Sequence, residues 1–117
     1  MTRPARILLV DDEVPIQRAL APLLRSRGYD VDVAVNGADS GEIGLEKLES
    51  SHYDVLFIDN MMSVMNGYDA IRRIRGKGND ILIISLSGGT DDGGTDDDMK
   101  ERLKKLGVRE IILKPSS

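Results

Sequence analysis

Asp54-Val55-Leu56-Phe57-Ile58-Asp59-Asn60-Met61-Met62 is an apolar run that stops abruptly at a carboxylate. A half-exposed strand would alternate apolar with polar residues, so the unbroken stretch Val55 to Ile58 reads as a strand buried on both faces. Asp59 marks the point where the C-terminal end of that strand emerges. One strand ending in a carboxylate carries little information, because something polar must end every strand. The pattern matters here because it recurs along the chain.

Upstream, Arg6 to Val10 is a second buried-strand pattern and ends at Asp11-Asp12-Glu13. Downstream, Ile81 to Leu86 ends at Ser87-Gly88, and Val108 to Leu113 ends at Lys114-Pro115. Val31, Val33 and Val35 alternate with Asp32 and Ala34, as expected of a half-exposed edge strand. Helical spacing fills the gaps between strands. Pro15 to Arg27 carries Ile16, Ala19, Leu20, Leu23 and Leu24 and stops at Gly28. Pro22 inside it costs about 3 kcal/mol in a helix interior, which predicts a kink near Arg18 to Pro22. Asp39 to Glu49 carries Ile43, Leu45 and Leu48. A third helix after Gly67 buries Ala70, Ile71 and Ile74, with Arg72, Arg73 and Arg75 on its wet side. Met99 to Leu106 is a short fourth helix closed by Gly107. Residues 89–98, dense in aspartate and glycine, read as an acidic loop.

Strands alternating with helices imply a parallel sheet with helices on both faces and right-handed crossovers. The expected fold is therefore α/β: a doubly wound, five-stranded parallel sheet of the flavodoxin-like kind, strand order 2-1-3-4-5. Ligands then bind at the carboxyl ends of the strands, where strands 1 and 3 diverge.

A chain of 117 residues suits a single domain, 1–117. Without cysteine, disulfides and thiolate metal sites are excluded. A net charge of −4 leaves no electrostatic footprint for nucleic acid, and the absence of Trp argues against a base-stacking surface. Ile7 to Val10 is too short for a signal peptide or a membrane span, so the expectation is a cytoplasmic protein without membrane contact.

The strand ends bring Asp11, Asp12, Asp59, Ser87 and Lys114 to one rim. Each has a bland reading: a helix N-cap for Asp11-Asp12, a turn for Ser87-Gly88, a surface cation for Lys114. Together they are harder to dismiss. Clustered carboxylates cannot all stay ionised unless positive charge is supplied. Mg²⁺ fits, because it takes few carboxylates and leaves positions for water and phosphate oxygens. A carboxylate can also attack phosphorus, and phosphoryl transfer needs its oxygen charge neutralised. His52 reads as a solvated residue before the third strand.

With these residues in place, the chain resembles the receiver domain of the two-component response regulator family over essentially its whole length. The motifs are Leu8-Leu9-Val10-Asp11-Asp12-Glu13, the opening stretch followed by Asn66-Gly67, Ser87-Gly88, and Lys114-Pro115. The resemblance implies that Asp59 accepts a phosphoryl group from a histidine kinase or phosphotransfer protein. It further implies that Asp12, Asp59 and the Met61 backbone carbonyl ligate Mg²⁺, with Asp11 assisting through water. Ser87 and Lys114 would hold the phosphoryl group and couple its arrival to a conformational switch. The resemblance names no output partner.

The chain departs from the family pattern in several places. Ile111 stands where the family carries a Tyr or Phe that rotates on activation, and Ser63 replaces a common proline. The segment 36–54 and the acidic loop 89–98 are long for the family. The family's final helix has no counterpart after Lys114-Pro115, which leaves an apolar sheet face beside the first helix partly bare and predicts self-association as a homo-dimer, a partner helix, or a truncated chain. Two rivals follow: a pseudo-receiver that binds partners without phosphorylation, and a Mg²⁺-dependent aspartyl-phosphate phosphohydrolase. The second would want Asp-x-Asp after strand 1, where this chain has Asp11-Asp12-Glu13.

Overall fold

The computed structural model describes residues 3–11, 14–34, 40–59, 67–87 and 97–113; for Val14, Ile16, Ser40, Gly41, Ser87, Asp97, Asp98, Met99 and Leu113 it describes the backbone alone. Strands and helices alternate in the order β1 (Arg6–Val10), α1 (Val14–Ser26), β2 (Asp30–Ala34), α2 (Ser40–Ser50), β3 (Val55–Asp59), α3 (Gly67–Gly76), β4 (Leu82–Ser87), α4 (Asp97–Lys105) and β5 (Val108–Leu113). All strand pairs are parallel, in the order β2-β1-β3-β4-β5. That is the doubly wound arrangement expected from the sequence, and β2, the alternating strand, lies at an edge.

The period of two along each strand divides the core between the faces of the sheet. Leu8, Val10, Leu56, Ile58 and Ile83 pack with Ala70, Ile71 and Ile74 of α3, Leu103 of α4, and Ile43, Leu45 and Leu48 of α2. On the opposite face, Ile7, Leu9, Val31 and Leu86 meet Ala21, Leu20 and Leu24 of α1. That cover does not extend across the sheet. Leu82, in register with Val55, is 40% exposed, and Ile112, in register with Leu86, is 43% exposed. The partly bare face expected from the sequence is therefore present among the described residues.

Three local findings refine the expectations. First, the buried stripe of α1 runs through Gln17, Ala21, Leu20 and Leu24, while Ala19 is exposed and Leu23 is 48% exposed. The stripe is rotated from the one expected because α1 packs over β1 and β2 and leaves the flank bearing Leu23 uncovered. Second, α2 approaches β1 through Gly44, where an added Cβ would stand 2.8 Å from Val10 Cγ2. Gly44, a residue that by helix propensity alone weakens α2, is what lets it sit down on the sheet. Third, Arg75 is not on the wet side of α3. Half-buried, it donates from Nε to the Leu106 carbonyl (2.6 Å), from Nη1 to the carbonyls of Asn79 (3.0 Å) and Ile81 (2.8 Å), and from Nη2 to that of Gly107 (3.3 Å). Those carbonyls belong to the loop before β4 and the C-terminal end of α4, so one guanidinium ties three elements together. Burial lowers its pKa, against the opposing pull of Asp80. Arg72 and Arg73 are exposed as expected.

Candidate functional site

Parallel pairing places the strand ends in register at one rim. Val10 pairs with Ile58, so the next residues, Asp11 and Asp59, follow neighbouring rungs of β1 and β3. Asp59 itself pairs with Leu86, one step before Ser87, and Ser87 pairs with Leu113, the residue before Lys114. The backbone thus brings Asp11, Asp59 and Ser87 to a common edge. Asp12, Met61 and Lys114, and most of the acidic loop 89–98, lie outside the described residues.

Asp11 and Asp59 are both fully buried. Asp59 is therefore no solvated strand end; it forms the last rung of β3, with Leu86 beside it. Carboxylates taken out of water in neighbouring positions demand compensating positive charge or donors. A set of hard oxygen donors at the open end of a sheet suits Mg²⁺ rather than a soft metal. Among the described residues no group of three or more His, Cys, Asp or Glu forms a metal cluster; Asp12 falls outside them.

Gln17 holds the Asp11 segment in place. Its side-chain amide, 8% exposed, donates to the Asp11 carbonyl over 2.6 Å and so fastens the first turns of α1 to the end of β1. The sequence reading overlooked this residue, although a signal was there: Gln17 shares a helical stripe with Leu20, Ala21 and Leu24, and a polar group on an apolar stripe needs a partner. Ile111, at the position where an aromatic switch residue is expected, is half-buried and packs against the core on the α2–α3–α4 side.

His52, read as solvated, sits at the opposite end of the sheet. Its Nε2 lies 3.1 Å from Asp54 Oδ1, while Asp54 also accepts from the Arg6 backbone N–H at 2.8 Å and pairs with Arg3 at 3.4 Å. The Arg6 N–H, then His52, hold the Asp54 carboxyl below its usual range. This cluster ties β3 to β1 and stands apart from the carboxylate rim.

A doubly wound sheet of order 2-1-3-4-5 with buried aspartates at the ends of its first and third strands defines a class of carboxylate-bearing α/β domains, and comparison with known proteins narrows it. The family model described as the response regulator receiver domain matches residues 7–117, and the chain belongs to that family. Transcriptional regulatory protein ResD of Bacillus subtilis is 32% identical over 120 residues, covering 97% of this chain and 47% of ResD. Transcriptional regulatory protein DltR of Streptococcus agalactiae is 37% identical over 82 residues, 70% of this chain and 35% of DltR. The chain thus spans between a third and a half of the length of these relatives. Among solved structures, a response regulator receiver protein from Pseudomonas putida aligns with a TM-score of 0.83 at 29% identity, covering 100% of this chain and 91% of that one. TrrA from Thermotoga maritima, solved in complex with Mg²⁺-BeF, aligns with a TM-score of 0.74 at 32% identity, covering 95% and 87%.

Proposed function

We propose that residues 1–117 act as a single receiver unit that accepts a phosphoryl group on Asp59 and changes conformation in response. The observation that carries this reading is the placement of Asp59 as the buried final rung of the central strand β3, one strand from the buried Asp11. The donor would be the phosphohistidine of a histidine kinase or phosphotransfer protein. Transfer breaks the phosphorus–nitrogen bond and forms a phosphorus–oxygen bond to Asp59. The imidazole keeps the electron pair and takes a proton from solvent.

Asp11, Asp12, Asp59 and the Met61 carbonyl would hold Mg²⁺, whose chemistry there is neutralisation of charge on the phosphoryl oxygens. Gln17 acts earlier, by fixing the backbone at Asp11 and so the direction in which that carboxylate enters the site. Ser87, at the end of β4, would donate its hydroxyl to a phosphoryl oxygen, and Lys114, after β5, would supply an ammonium. The result is an acyl phosphate that switches a surface, in the cytoplasm, rather than a turnover reaction. Among the described residues no helix is long and apolar enough to cross a membrane.

A second reading, an interaction module that works without phosphorylation, is favoured by one observation: the half-buried side chain at the switch position is the aliphatic Ile111. Intact-mass measurement after incubation with Mg²⁺ and acetyl phosphate separates the two. A phosphate adduct on the wild type, absent in Asp59→Asn, supports the phosphoacceptor. No adduct and no Mg²⁺ binding leaves the interaction module, and rapid multiple turnover of a phosphate ester would overturn both.

A further inference from the structure

The Ser85 hydroxyl is out of place. Ser85 lies in the middle of β4, fully buried, and its Oγ meets no hydrogen-bond partner among the described residues. It is in register with Ile58 of β3 and Ile111 of β5, both part of or packed against the core on the α2–α3–α4 side. A hydroxyl in such surroundings loses its water and gains nothing in return, whereas alanine would fill the position without that cost. The penalty belongs to the conformation in which the oxygen is orphaned, and any conformation that gives it a partner is favoured relative to this one.

β4 is also the strand whose end would move. Ser87 lies two residues beyond Ser85 on the same strand, so a displacement of the strand end towards Asp59 would reach Ser85 along the backbone. Across the ladder, Ile111 brings neither a ring to rotate nor a polar group to exchange partners. Within the β4–β5 pair, the Ser85 hydroxyl is therefore a group whose bonding state can differ between two conformations.

We propose that Ser85 is a positioning residue. Its orphaned hydroxyl penalises the resting conformation, and movement of the β4 end towards a phosphorylated Asp59 brings the hydroxyl to an acceptor, which draws the equilibrium to the signalling state. This rests on Asp59 being the phosphoacceptor. Making one buried hydrogen bond that was previously unmade biases a two-state equilibrium by roughly 5- to 30-fold.

The test uses beryllofluoride with Mg²⁺ as a phosphoryl mimic on wild type, Ser85→Ala, Ser85→Thr and Asp59→Asn, with thermal unfolding of each ligand-free protein. Removing a single oxygen from a packed position keeps Ser85→Ala folded. The expected result is a higher Tm for ligand-free Ser85→Ala together with beryllofluoride affinity weakened by roughly 5- to 30-fold, and near wild-type affinity for Ser85→Thr, which retains the hydroxyl. A raised Tm with unchanged affinity would overturn the proposal, as would an unchanged Tm or a Ser85→Thr protein that loses affinity as the alanine variant does. If wild type fails to bind beryllofluoride, or Asp59→Asn binds it equally, the phosphoacceptor reading itself falls and the Ser85 proposal with it.

Discussion

The two faces of the sheet are built from the same strands and packed to different depths. On one face, α2, α3 and α4 cover a continuous cluster in which Leu8, Leu56, Ile71, Ile83 and Leu103 are completely buried. On the other, α1 covers β1 and β2, and the apolar surface continues past it to Leu82 and Ile112, each at least 40% exposed. Alternation along a strand treats its two faces alike, so the strands cannot be the source of the difference. What differs, among the described residues, is the number of helices that reach each side. An apolar side chain stabilises the fold by the area it removes from water, about 25 cal/mol per Å², so equivalent leucines on the two faces contribute unequally.

The largest effect should come from breaking the covered face. Leu56→Ala, in the middle of β3, is expected to cost about 2–5 kcal/mol, since deletion of a fully buried leucine adds a cavity term to the lost transfer energy. Leu82→Ala, on the neighbouring strand but 40% exposed, should cost less than half as much. Urea unfolding of the two variants at neutral pH measures the contrast. Equal losses would mean that the bare face is covered in solution, by self-association or another element. Repeating the Leu82 measurement over a range of protein concentrations identifies the first of these.

Arg75 is next. The covered face is closed at its lower corner by this side chain, which donates to the carbonyls of Asn79, Ile81, Leu106 and Gly107. Arg75→Ala should destabilise by about 2–3 kcal/mol, because charged donors are withdrawn from partly buried carbonyls. Arg75→Lys should recover only part of that, as one ammonium cannot reproduce the fork. The C-terminal end of α4 and the start of β5 should lose amide-exchange protection before the rest of the sheet. Uniform loss of protection would show that Arg75 supports the whole fold rather than this corner.

How much of this was legible in the sequence depends on how local the cause is. The strands ended within one residue of the ends of their apolar runs, β3 at Asp59 and β4 at Ser87, and the alternation of β2 marked it as an edge, because both signals lie within a few consecutive residues. The convergence of Asp11, Asp59 and Ser87 followed from topology once the strands were parallel. Arg75 was misread because its role depends on carbonyls 31 and 32 residues away as well as on nearby ones, and a helical wheel shows only its own helix. The stripe of α1 was misplaced because Leu23 satisfies the spacing but meets no facing surface. Gln17 could have been found, since a buried-face polar residue implies a backbone partner; nothing in its spacing said the partner was Asp11.

The smallest effect concerns the polar end of the covered face. Tyr53, 5% exposed, donates its hydroxyl to Asp32 on the edge strand over 2.6 Å, and Lys47 of α2 pairs with the same carboxylate at 3.2 Å. Burial, reinforced by the hydrogen bond to Asp32, raises the Tyr53 phenol from 10.0 to about 12. Partial burial alone would raise the Asp32 carboxyl, but the Tyr53 hydroxyl and the Lys47 ammonium outweigh it and the net shift is downward from 3.8. The signs set two limits. The Tyr53 contribution is complete below pH 10 and is lost as pH rises through about 12. That of Asp32 is complete above its unfolded value of 3.8 and is lost as pH falls below it through the folded value. Tyr53→Phe should cost about 1 kcal/mol at neutral pH, modest because the Asp32 carboxylate is half in water. It should also weaken the alkaline fall in stability, since the phenol that ionises there is gone. Urea midpoints of wild type and Tyr53→Phe, followed upward from neutral pH, should therefore converge near pH 12. Curves that coincide from neutral pH upward would mean that the hydroxyl contributes nothing to β2, and that this edge of the covered face is held by apolar packing and the Lys47–Asp32 pair alone.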